Sequence, residues 1–219
     1  LQGLEYLTKY FVKKSHTIII VDNGKSREKQ NMFEKLPKNR FLYLPQKKNL
    51  GFAAGINKGA KFTHSEWLLI LNDDIEFDDD RTIDELIKEA SKRKLDAISP
   101  RLINPDGTDE NFGYRVLPFG RVYLVKNRKD YNIDGLTAAC LLIKSEVFNK
   151  MNGFDESFFA YLEDVDLFLR MKDEGSRFAM SDLSVRHNHM KTSKTMGFFK
   201  EKQDLVNWWR LYFKHREIF

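Results

Sequence analysis

Hydrophobic residues in the first hundred positions recur at two alternating spacings. Near the start, Leu4, Leu7 and Phe11 lie three and four positions apart, which predicts a helix with one apolar face. Short apolar runs then alternate with helical patterns: strands are predicted at 17–21, 41–44, 67–71 and 97–99, and helices at about 52–62 and 82–93. This alternation is typical of a parallel sheet between two layers of helices, so the sequence predicts a three-layered α/β fold.

The pattern changes after Pro100. Residues 104–107 (Asn-Pro-Asp-Gly) predict a turn, and residues 108–134 are polar, aromatic and irregular, as in a loop or short antiparallel strands over a site. Three regular elements follow: a strand at 137–143, a short helix at 145–150 capped by Ser145, and a helix at about 163–174 that ends at Gly175. The sequence shows neither a repeat nor a flexible linker, which predicts one domain over residues 1–219.

Composition and charge narrow the class of protein. Hydrophobic residues make up 42% of the chain, which excludes a disordered protein, and the single cysteine, Cys140, excludes a disulfide framework and a cysteine-rich metal site. One thiol predicts a reducing compartment and therefore a cytoplasmic location. Apolar runs fall short of the roughly 18–20 residues of a membrane span. The net charge is +5, and basic and acidic residues are interspersed along most of the chain. This pattern argues against a nucleic-acid partner and favours a phosphate-bearing small molecule or an anionic membrane surface.

Polar side chains follow the predicted strands at the ends where ligands bind in an open parallel sheet. Asp22 and Asn23 end the first strand; their oxygen and amide groups suit a nucleotide base or ribose, and an ordinary Asx turn explains them equally well. A helix entry rich in small residues follows the second strand: Asn49, Gly51, Gly55, Asn57 and Gly59. It suits the close approach of a flat or phosphorylated ligand, and tight helix packing explains it about as well.

Two acidic clusters and two histidines bear more directly on chemistry. Asp73 and Asp74 follow an apolar strand and offer hard oxygen ligands to a divalent ion on a diphosphate, whereas a solvated acidic turn is the alternative. The acidic residues of 163–166 follow an aromatic stretch, where they cap a helix or face a cavity. His187 and His189 share one face of an extended segment, either as structural hydrogen-bonding groups or as ligands.

Taken together and in order, the motifs resemble those of a family 2 glycosyltransferase of the rhamnosyltransferase-like branch. The resemblance rests on segments spread over residues 4–213: 19–24 (IIVDNG), 49–59 (NLGFAAGINKG), 69–75 (LILNDDI), 104–107 (NPDG), 138–143 (AACLLI), 153–167 (GFDESFFAYLEDVDL), Arg170 and Gly175. Each motif alone is modest, but the ordered set is specific and favours an enzyme. It implies the GT-A fold, an α/β fold with a mostly parallel sheet flanked by helices, with a nucleotide-binding half at 1–100 and an acceptor-binding half at 101–219.

The resemblance also implies roles for individual residues. Asp74 takes the place of the metal-binding aspartate, for Mg²⁺ or Mn²⁺, and His187 that of a metal-ligating histidine, with His189 as the alternative. Asp164 takes the place of the general base. Donor contacts are implied for Asp22 and Asn23 at the nucleotide base, and for Asn49, Gly51, Asn57, Asn72 and Asp73 elsewhere on the donor.

The chain departs from the family pattern in two places. Asn72 stands where the family has the first aspartate of its Asp-x-Asp motif, which weakens the expected ribose or metal contact. The strand that normally precedes the first helix, central in the sheet and in contact with the nucleotide, is missing. We expect either a truncated sequence or a sheet completed in some other way, and impaired donor binding by the chain as it stands.

The implied function is inverting, metal-dependent transfer of a hexose or deoxyhexose from a nucleoside diphosphate sugar to an acceptor hydroxyl. The acceptor is a saccharide or is lipid-linked, and the pathway is the synthesis of cell-surface polysaccharide or glycolipid. The alternative is a catalytically degenerate protein that only binds sugar nucleotide or carbohydrate. A nucleic-acid partner is not expected, because no basic groove or recognised motif supports one.

The C-terminal segment is amphipathic. Its apolar residues recur at helical spacing among lysines and arginines: Leu205, Trp208, Trp209, Tyr212 and Phe213. Such a helix suits peripheral contact with the inner face of an anionic membrane, near a lipid-linked acceptor. The alternative is a terminal helix packed on the core, which we favour because apolar stripes commonly face inward.

Overall fold

Helices and strands alternate through most of the chain, as the hydrophobic spacing predicts. The computed structural model of the protein describes residues 2–24, 26–127, 132–188 and 197–218. The helices are α1 (Gln2–Val12), α2 (Arg27–Glu34), α3 (Phe52–Ala60), α4 (Thr82–Arg93), α5 (Ser145–Lys150), α6 (Glu163–Asp173) and α7 (Gly197–Lys214). The strands are β1 (Ile18–Asp22), β2 (Phe41–Pro45), β3 (Trp67–Leu71), β4 (Ile75–Glu76), β5 (Ala97–Ile103), β6 (Tyr114–Leu117), β7 (Arg121–Leu124), β8 (Cys140–Lys144) and β9 (Phe178–His187).

The strands of these described segments form one large sheet and two small ones. The large sheet has the order β3-β8-β5-β9-β4, β1 and β2 form a parallel pair, and β6 and β7 form an antiparallel hairpin. Within the large sheet β5 and β9 run parallel, whereas β8 and β4 run antiparallel to their neighbours. The α/β prediction is confirmed, but the sheet is mixed instead of mostly parallel. The reason is that the chain reaches β8 from the hairpin and not through the crossover helix that parallel neighbours require.

Side chains of the large sheet alternate between two layers of helices, as strand geometry requires. On one face, Ile70 of β3 packs with Leu141 and Ile143 of β8 and with α3, α5 and α6. On the other face, Leu69 of β3 and Leu142 of β8 pack with α4, and Leu69 also contacts the cluster that includes α1. The predicted three layers are confirmed.

The pair of β1 and β2 shares helices with the large sheet but is a separate ladder. Ile18 and Ile20 of β1 join the apolar cluster that contains α1 and Leu69 and Leu71 of β3. On the other side α3 covers β1 so closely that a Cβ on Gly59 would meet a β1 side chain at 3.2 Å. Within the described ranges, one edge of β1 and one edge of β3 have no ladder partner.

Local sequence signals locate several element ends correctly. β3 and α4 match their predicted ranges, and Gly175, with a φ of +71°, follows α6 as predicted. β5 is longer than predicted, because it continues through Pro100 with a register shift that accommodates the missing N–H. The predicted Ser145 cap is wrong: Lys144 precedes the helix, and the Ser145 hydroxyl has no hydrogen-bond partner in the part of the chain that the structure describes.

Both halves of the chain contribute to the large sheet. β3 and β4 come from the first hundred residues, β8 and β9 come from the second half, and β5 crosses the division. The assignment of one domain with two functional halves stays a prediction. Of the helices that the structure describes, none is both long enough and apolar enough to cross a membrane.

Candidate active site

Asp74 and His187 lie side by side at one end of the large sheet. Asp74 is in the turn before β4 and His187 ends β9, and these strands pair antiparallel with Ile75 opposite His187. His187 Nε2 lies 3.3 Å from Asp74 Oδ1, and the N–H of Asn188 donates to the Asp74 carbonyl at 2.9 Å. Both side chains are largely buried. Strand pairing thus brings together the two residues that the family resemblance assigns to a metal ion.

Glu110 contacts the other side of the His187 ring. Its Oε2 lies 2.7 Å from His187 Nδ1, and its backbone N–H donates to the carbonyl of Leu102 in β5. Burial lowers the pKa of His187, but its hydrogen bonds to Asp74 and Glu110 outweigh that effect and raise the pKa to about 9. Sequence reasoning missed Glu110, because it lies in the irregular stretch 108–134 with no motif around it.

The side chains at this end of the sheet fit a divalent ion that is held jointly with a ligand. Asp74 offers carboxylate oxygen, and His187 offers imidazole nitrogen once a metal ion displaces the proton from Nε2; both suit Mg²⁺ or Mn²⁺. Partial burial and the charge of Asp74 raise the pKa of the neighbouring Asp73 carboxyl. No three His, Cys, Asp or Glu side chains in the described segments are arranged to hold a metal by themselves. The remaining ligands of such an ion would therefore come from a diphosphate and water.

Asp164, in the first turn of α6, is bound to the segment that precedes β8. Its Oδ2 accepts the N–H of Ala138 at 3.2 Å, and its Oδ1 accepts the next backbone N–H of the helix at 2.9 Å. The neighbouring Ala139 carbonyl accepts the N–H of Asn72 at 2.9 Å. Asp164 and the turn that contains Asn72 and Asp74 are thus attached to adjacent residues of one backbone stretch.

Glu163 and Asp164 form a buried pair of carboxyl groups. Burial raises the pKa of Glu163 to about 8, and the charge of Asp164 adds to the shift. Burial also raises the pKa of Asp164, but hydrogen bonds from backbone N–H groups oppose that rise. Glu163 Oε2 accepts no hydrogen bond from the residues that the structure describes. Burial is the largest cause of both shifts.

The turn before α6 packs on the start of α3. Tyr161 and Leu162 have φ values of +72° and +65°, which non-glycine residues rarely adopt. Just before them, the Phe159 carbonyl accepts the N–H of Phe52 at 2.8 Å. Gly51 has a φ of +83°, and a Cβ there would lie 2.2 Å from the Phe159 oxygen. Close approach of the protein's own backbone thus requires this glycine, as the packing alternative predicts.

Asp22 and Asn23, at the end of β1, bind other parts of the protein. Asp22 is buried and accepts hydrogen bonds from Tyr43 at 2.6 Å and Lys29 at 2.9 Å. Asn23 donates to the carbonyl of Gly51 at 3.0 Å. These contacts join the end of β1 to β2, α2 and the entry of α3.

Asn49 and Asn57 also have partners within the protein. Asn49 Oδ1 accepts the N–H of Gly51 at 2.9 Å, which shapes the entry of α3. Asn57 accepts the N–H of Phe154 at 2.9 Å and donates to the Phe154 carbonyl at 2.8 Å and to Glu156 at 3.1 Å. Both ends of the Asn57 amide are used in holding this turn. Its implied contact with the donor stays a prediction.

Comparison with known proteins identifies the family. The sequence model described as Glycosyl transferase family 2 matches residues 9–151, more than half of the chain. The chain belongs to this glycosyltransferase family. It is 27% identical over 214 residues to the O-antigen biosynthesis protein RfbC of Myxococcus xanthus, covering 91% of this chain and 16% of that protein. It is 25% identical over 193 residues to an N-acetylglucosaminyl-diphospho-decaprenol L-rhamnosyltransferase of Mycobacterium tuberculosis, covering 73% and 62%. The chain spans less than two thirds of either relative.

Solved structures of glycosyltransferases show the same fold at low sequence identity. GalNAc-T7 with UDP, GalNAc and Mn²⁺ superposes with a TM-score of 0.64 at 16% identity, covering 79% of this chain and 38% of that one. The mannosyltransferase PcManGT from Pyrobaculum calidifontis, in complex with GDP-Man and Mn²⁺, gives 0.63 at 13% identity, covering 87% and 54%. These likenesses confirm the GT-A fold.

The structure of this family 2 domain brings part of the predicted site together. Asp164 and Asn72 are bound to the backbone at 138–139, Asp73 and Asp74 follow Asn72 in the same turn, and His187 contacts Asp74. A second group meets at the entry of α3: Asp22, Asn23, Asn49 and Gly51. The alternative ligand His189 lies outside the described residues.

The C-terminal helix α7 packs on this domain through the side that carries Asn207 and Leu211. Asn207 and Leu211 are fully buried. Leu205, Trp209 and Phe213, which recur at the same spacing on another side, are 59%, 45% and 62% exposed. The prediction that the helix packs on the core is confirmed, but its apolar stripe faces away from the core.

Proposed function

We propose that this domain transfers a hexose or deoxyhexose from a nucleoside diphosphate sugar to an acceptor hydroxyl, with a divalent metal ion and with inversion at the anomeric carbon. The observation that carries the proposal is the attachment of Asp164 and Asn72 to the adjacent residues Ala138 and Ala139. It supports a candidate base that is held by the same backbone stretch as the turn that carries Asp74. Transfer from a diphosphate needs both: charge stabilisation on the leaving side and proton removal on the attacking side.

On the donor side, Asp74 and His187 would hold Mg²⁺ or Mn²⁺. The ion, when bound, supplies positive charge that stabilises the leaving diphosphate. Glu110 orients the His187 ring, so that Nε2 faces Asp74. Asn72 and Asp73, in the same turn, would contact the donor sugar or ribose. Further donor contacts are proposed at the end of β1 and the entry of α3: Asp22, Asn23, Asn49 and Gly51.

On the acceptor side, Asp164 takes the proton of the attacking hydroxyl. The hydroxyl oxygen bonds to the anomeric carbon as the bond from that carbon to the diphosphate oxygen breaks on the opposite face. One displacement of this kind inverts the anomer. The N–H of Ala138 fixes the Asp164 carboxylate, and Tyr114 donates its hydroxyl to the Asp164 carbonyl at 3.1 Å, which holds the first turn of α6.

A donor panel followed by product stereochemistry tests the proposal. UDP-, dTDP- and GDP-linked hexoses are screened with Mn²⁺ for a rise in melting temperature and for release of nucleoside diphosphate. The anomeric configuration of the product is then read by proton NMR. We expect an α-linked donor to give a β-linked product, and retention of configuration would contradict the mechanism.

The second candidate function is sugar-nucleotide or carbohydrate binding without turnover. Asn72 favours it, because this residue stands where the family has the first aspartate of its Asp-x-Asp motif and one carboxylate fewer weakens the expected ribose or metal contact. This alternative predicts that a donor raises the melting temperature without release of nucleoside diphosphate. Metal-dependent release excludes it.

We propose a saccharide or lipid-linked acceptor, in cell-surface polysaccharide or glycolipid synthesis, and a place on the cytoplasmic face of the membrane. The exposed stripe of α7 supports membrane contact. It continues onto the hairpin of β6 and β7, where Phe119 is 65% exposed and its ring centroid lies 6.5 Å from that of Tyr212. Outward aromatic side chains with lysine and arginine around them suit the interface of an anionic bilayer.

Vesicle cosedimentation tests this contact. We expect binding to phosphatidylglycerol vesicles that is lost in the double variant Trp209→Ser and Phe213→Ser. Phe62→Ser, which removes an exposed apolar side chain at the end of α3, is the matched control and keeps the binding. Equal sedimentation of both variants would contradict membrane contact through α7.

A further inference from the structure

Asn207 lies at the contact between α7 and the turn that leads into α6. The residue is fully buried, and its Nδ2 donates to the carbonyls of Ala160 at 2.7 Å and Tyr161 at 2.9 Å. Its Oδ1 accepts a hydrogen bond from Arg210 at 3.0 Å, and the same Arg210 nitrogen donates to the Ser157 carbonyl at 2.6 Å. Two side chains of α7 therefore bind three backbone carbonyls in front of the proposed base.

The turn that Asn207 holds has an unfavourable backbone conformation. Tyr161 and Leu162 are consecutive non-glycine residues in the left-handed region, and such residues persist only where the surrounding structure holds them. The Leu162 carbonyl then accepts the N–H of Asp166 at 3.0 Å, which starts the hydrogen-bond ladder of α6. The conformation of these two residues thus decides where α6 begins.

The start of α6 in turn decides the direction of Asp164. Its carboxylate meets the N–H of Ala138 at 3.2 Å only because the helix begins at Glu163 and not a residue earlier or later. A shift by one helical residue would rotate the side chain by roughly 100° about the helix axis. The orientation of Asp164 depends on the turn, and the turn depends on α7.

We infer that Asn207 is a positioning residue for the transfer reaction: its amide fixes the turn before α6 so that the Asp164 carboxylate faces the acceptor. The inference rests on the proposed function of Asp164 as the base. Asn207 acts on turnover through this turn, without contact with donor or acceptor.

A merely structural role, the docking of α7, is the competing explanation. Other contacts also dock this helix: Lys214 binds Asp155 at 2.6 Å, and His215, just beyond the helix, binds Asp166 at 2.9 Å. The helix therefore keeps its place when the Asn207 amide is removed. The two explanations differ in what they predict for turnover at unchanged donor binding.

The test compares Asn207→Leu, which keeps the size of the side chain, with Gln203→Leu. Gln203 lies one turn earlier on α7, and its Oε1 has no hydrogen-bond partner in the described segments. Turnover is measured as Mn²⁺-dependent hydrolysis of the UDP-, dTDP- or GDP-linked hexose that the panel selects, with water as acceptor. We expect kcat to fall about 100-fold in Asn207→Leu with KM for the donor unchanged, because small misplacements of a catalytic group have effects of this size. Gln203→Leu keeps its kcat.

Two further variants make the result decisive. Asn207→Gln keeps the amide donors and recovers most of the turnover. Should Asn207→Leu fail to fold, Asn207→Ser takes its place, since serine cannot reach both carbonyls, and the same loss of kcat is expected. An unchanged kcat, an equal loss in Gln203→Leu, or a rise in KM alone would overturn the inference. Asp164→Asn is run in parallel: if it turns over normally the proposed function fails, whereas an inactive Asp164→Asn with an active Asn207→Leu overturns only the role of Asn207.

Discussion

The Nδ1 atom of His187 lies 2.7 Å from Oε2 of Glu110, on the side of the ring away from Asp74. A carboxylate behind a metal-ligating histidine fixes the ring and makes the facing nitrogen a better ligand. Glu110 thereby becomes part of the proposed metal site, although it would not touch the ion.

We expect Glu110→Gln to weaken Mn²⁺ binding about 10-fold to 100-fold, because a neutral amide holds the imidazole less firmly. Isothermal titration of Mn²⁺ in the presence of UDP, dTDP or GDP measures the affinity. Glu28→Gln, an exposed carboxylate on α2, is the matched control. If both variants bind Mn²⁺ as tightly as the unchanged chain, Glu110 has no part in the site.

Alanine substitutions at Gly51 and Gly107 test the close contact between Gly51 and the turn before α6, with Gly107 as the control. Both have a φ of +83°, but a Cβ on Gly51 would lie 2.2 Å from the Phe159 oxygen, whereas a Cβ on Gly107 would meet nothing within 4 Å. Gly107→Ala should lower the free energy of unfolding by about 1–2 kcal/mol, the cost of the left-handed conformation. Gly51→Ala should cost more and should also reduce turnover, because the backbone in front of Asp164 has to move. Urea unfolding measures both, and equal losses of stability would argue against the close approach.

The contact of Asp155 with α7 predicts a dependence of stability on pH. Burial raises the pKa of Asp155, but hydrogen bonds from Lys214 and Ser157 outweigh burial and lower it to about 2. Because this value lies below the unfolded value of about 3.9, the stabilisation is present above about pH 4 and is lost as the pH falls towards 2.

We therefore expect the free energy of unfolding to fall between about pH 4 and pH 2, and to fall less steeply in Asp155→Asn. Urea unfolding followed by tryptophan fluorescence measures this, since Trp208 and Trp209 lie on α7. Asp173→Asn, exposed at the end of α6, serves as the control and keeps the steeper slope. A slope in Asp155→Asn that matches the control would show that the ion pair contributes nothing.

Local sequence signals predicted most of the elements but not the arrangement of the sheet. The apolar run at 67–71 and the helical pattern at 82–93 match β3 and α4, because both elements are set by nearby residues. Pro100 was expected to end a strand, yet a register shift carries β5 past it. The antiparallel direction of β8 depends on how the chain returns from the hairpin, which no local pattern encodes.

The candidate site shows the same difference between what local sequence signals predict and what only the folded chain brings together. Family motifs predicted Asp74, His187 and Asp164, and strand and helix contacts bring them to one region. Glu110 and Asn207 could not be found this way, because their partners lie far along the chain and appear only when the fold is formed. Which side of α7 faces the core could not be predicted either, because Asn207 on that side is held by carbonyls of a turn that lies far away in the sequence.

Asp164→Asn tests the central claim most directly, with Asp173→Asn as the control on the same helix. The account predicts that Mn²⁺-dependent release of nucleoside diphosphate falls about 100-fold or more in Asp164→Asn. The donor-induced rise in melting temperature stays as in the unchanged chain, because the donor contacts remain. Undiminished release from Asp164→Asn would contradict the account.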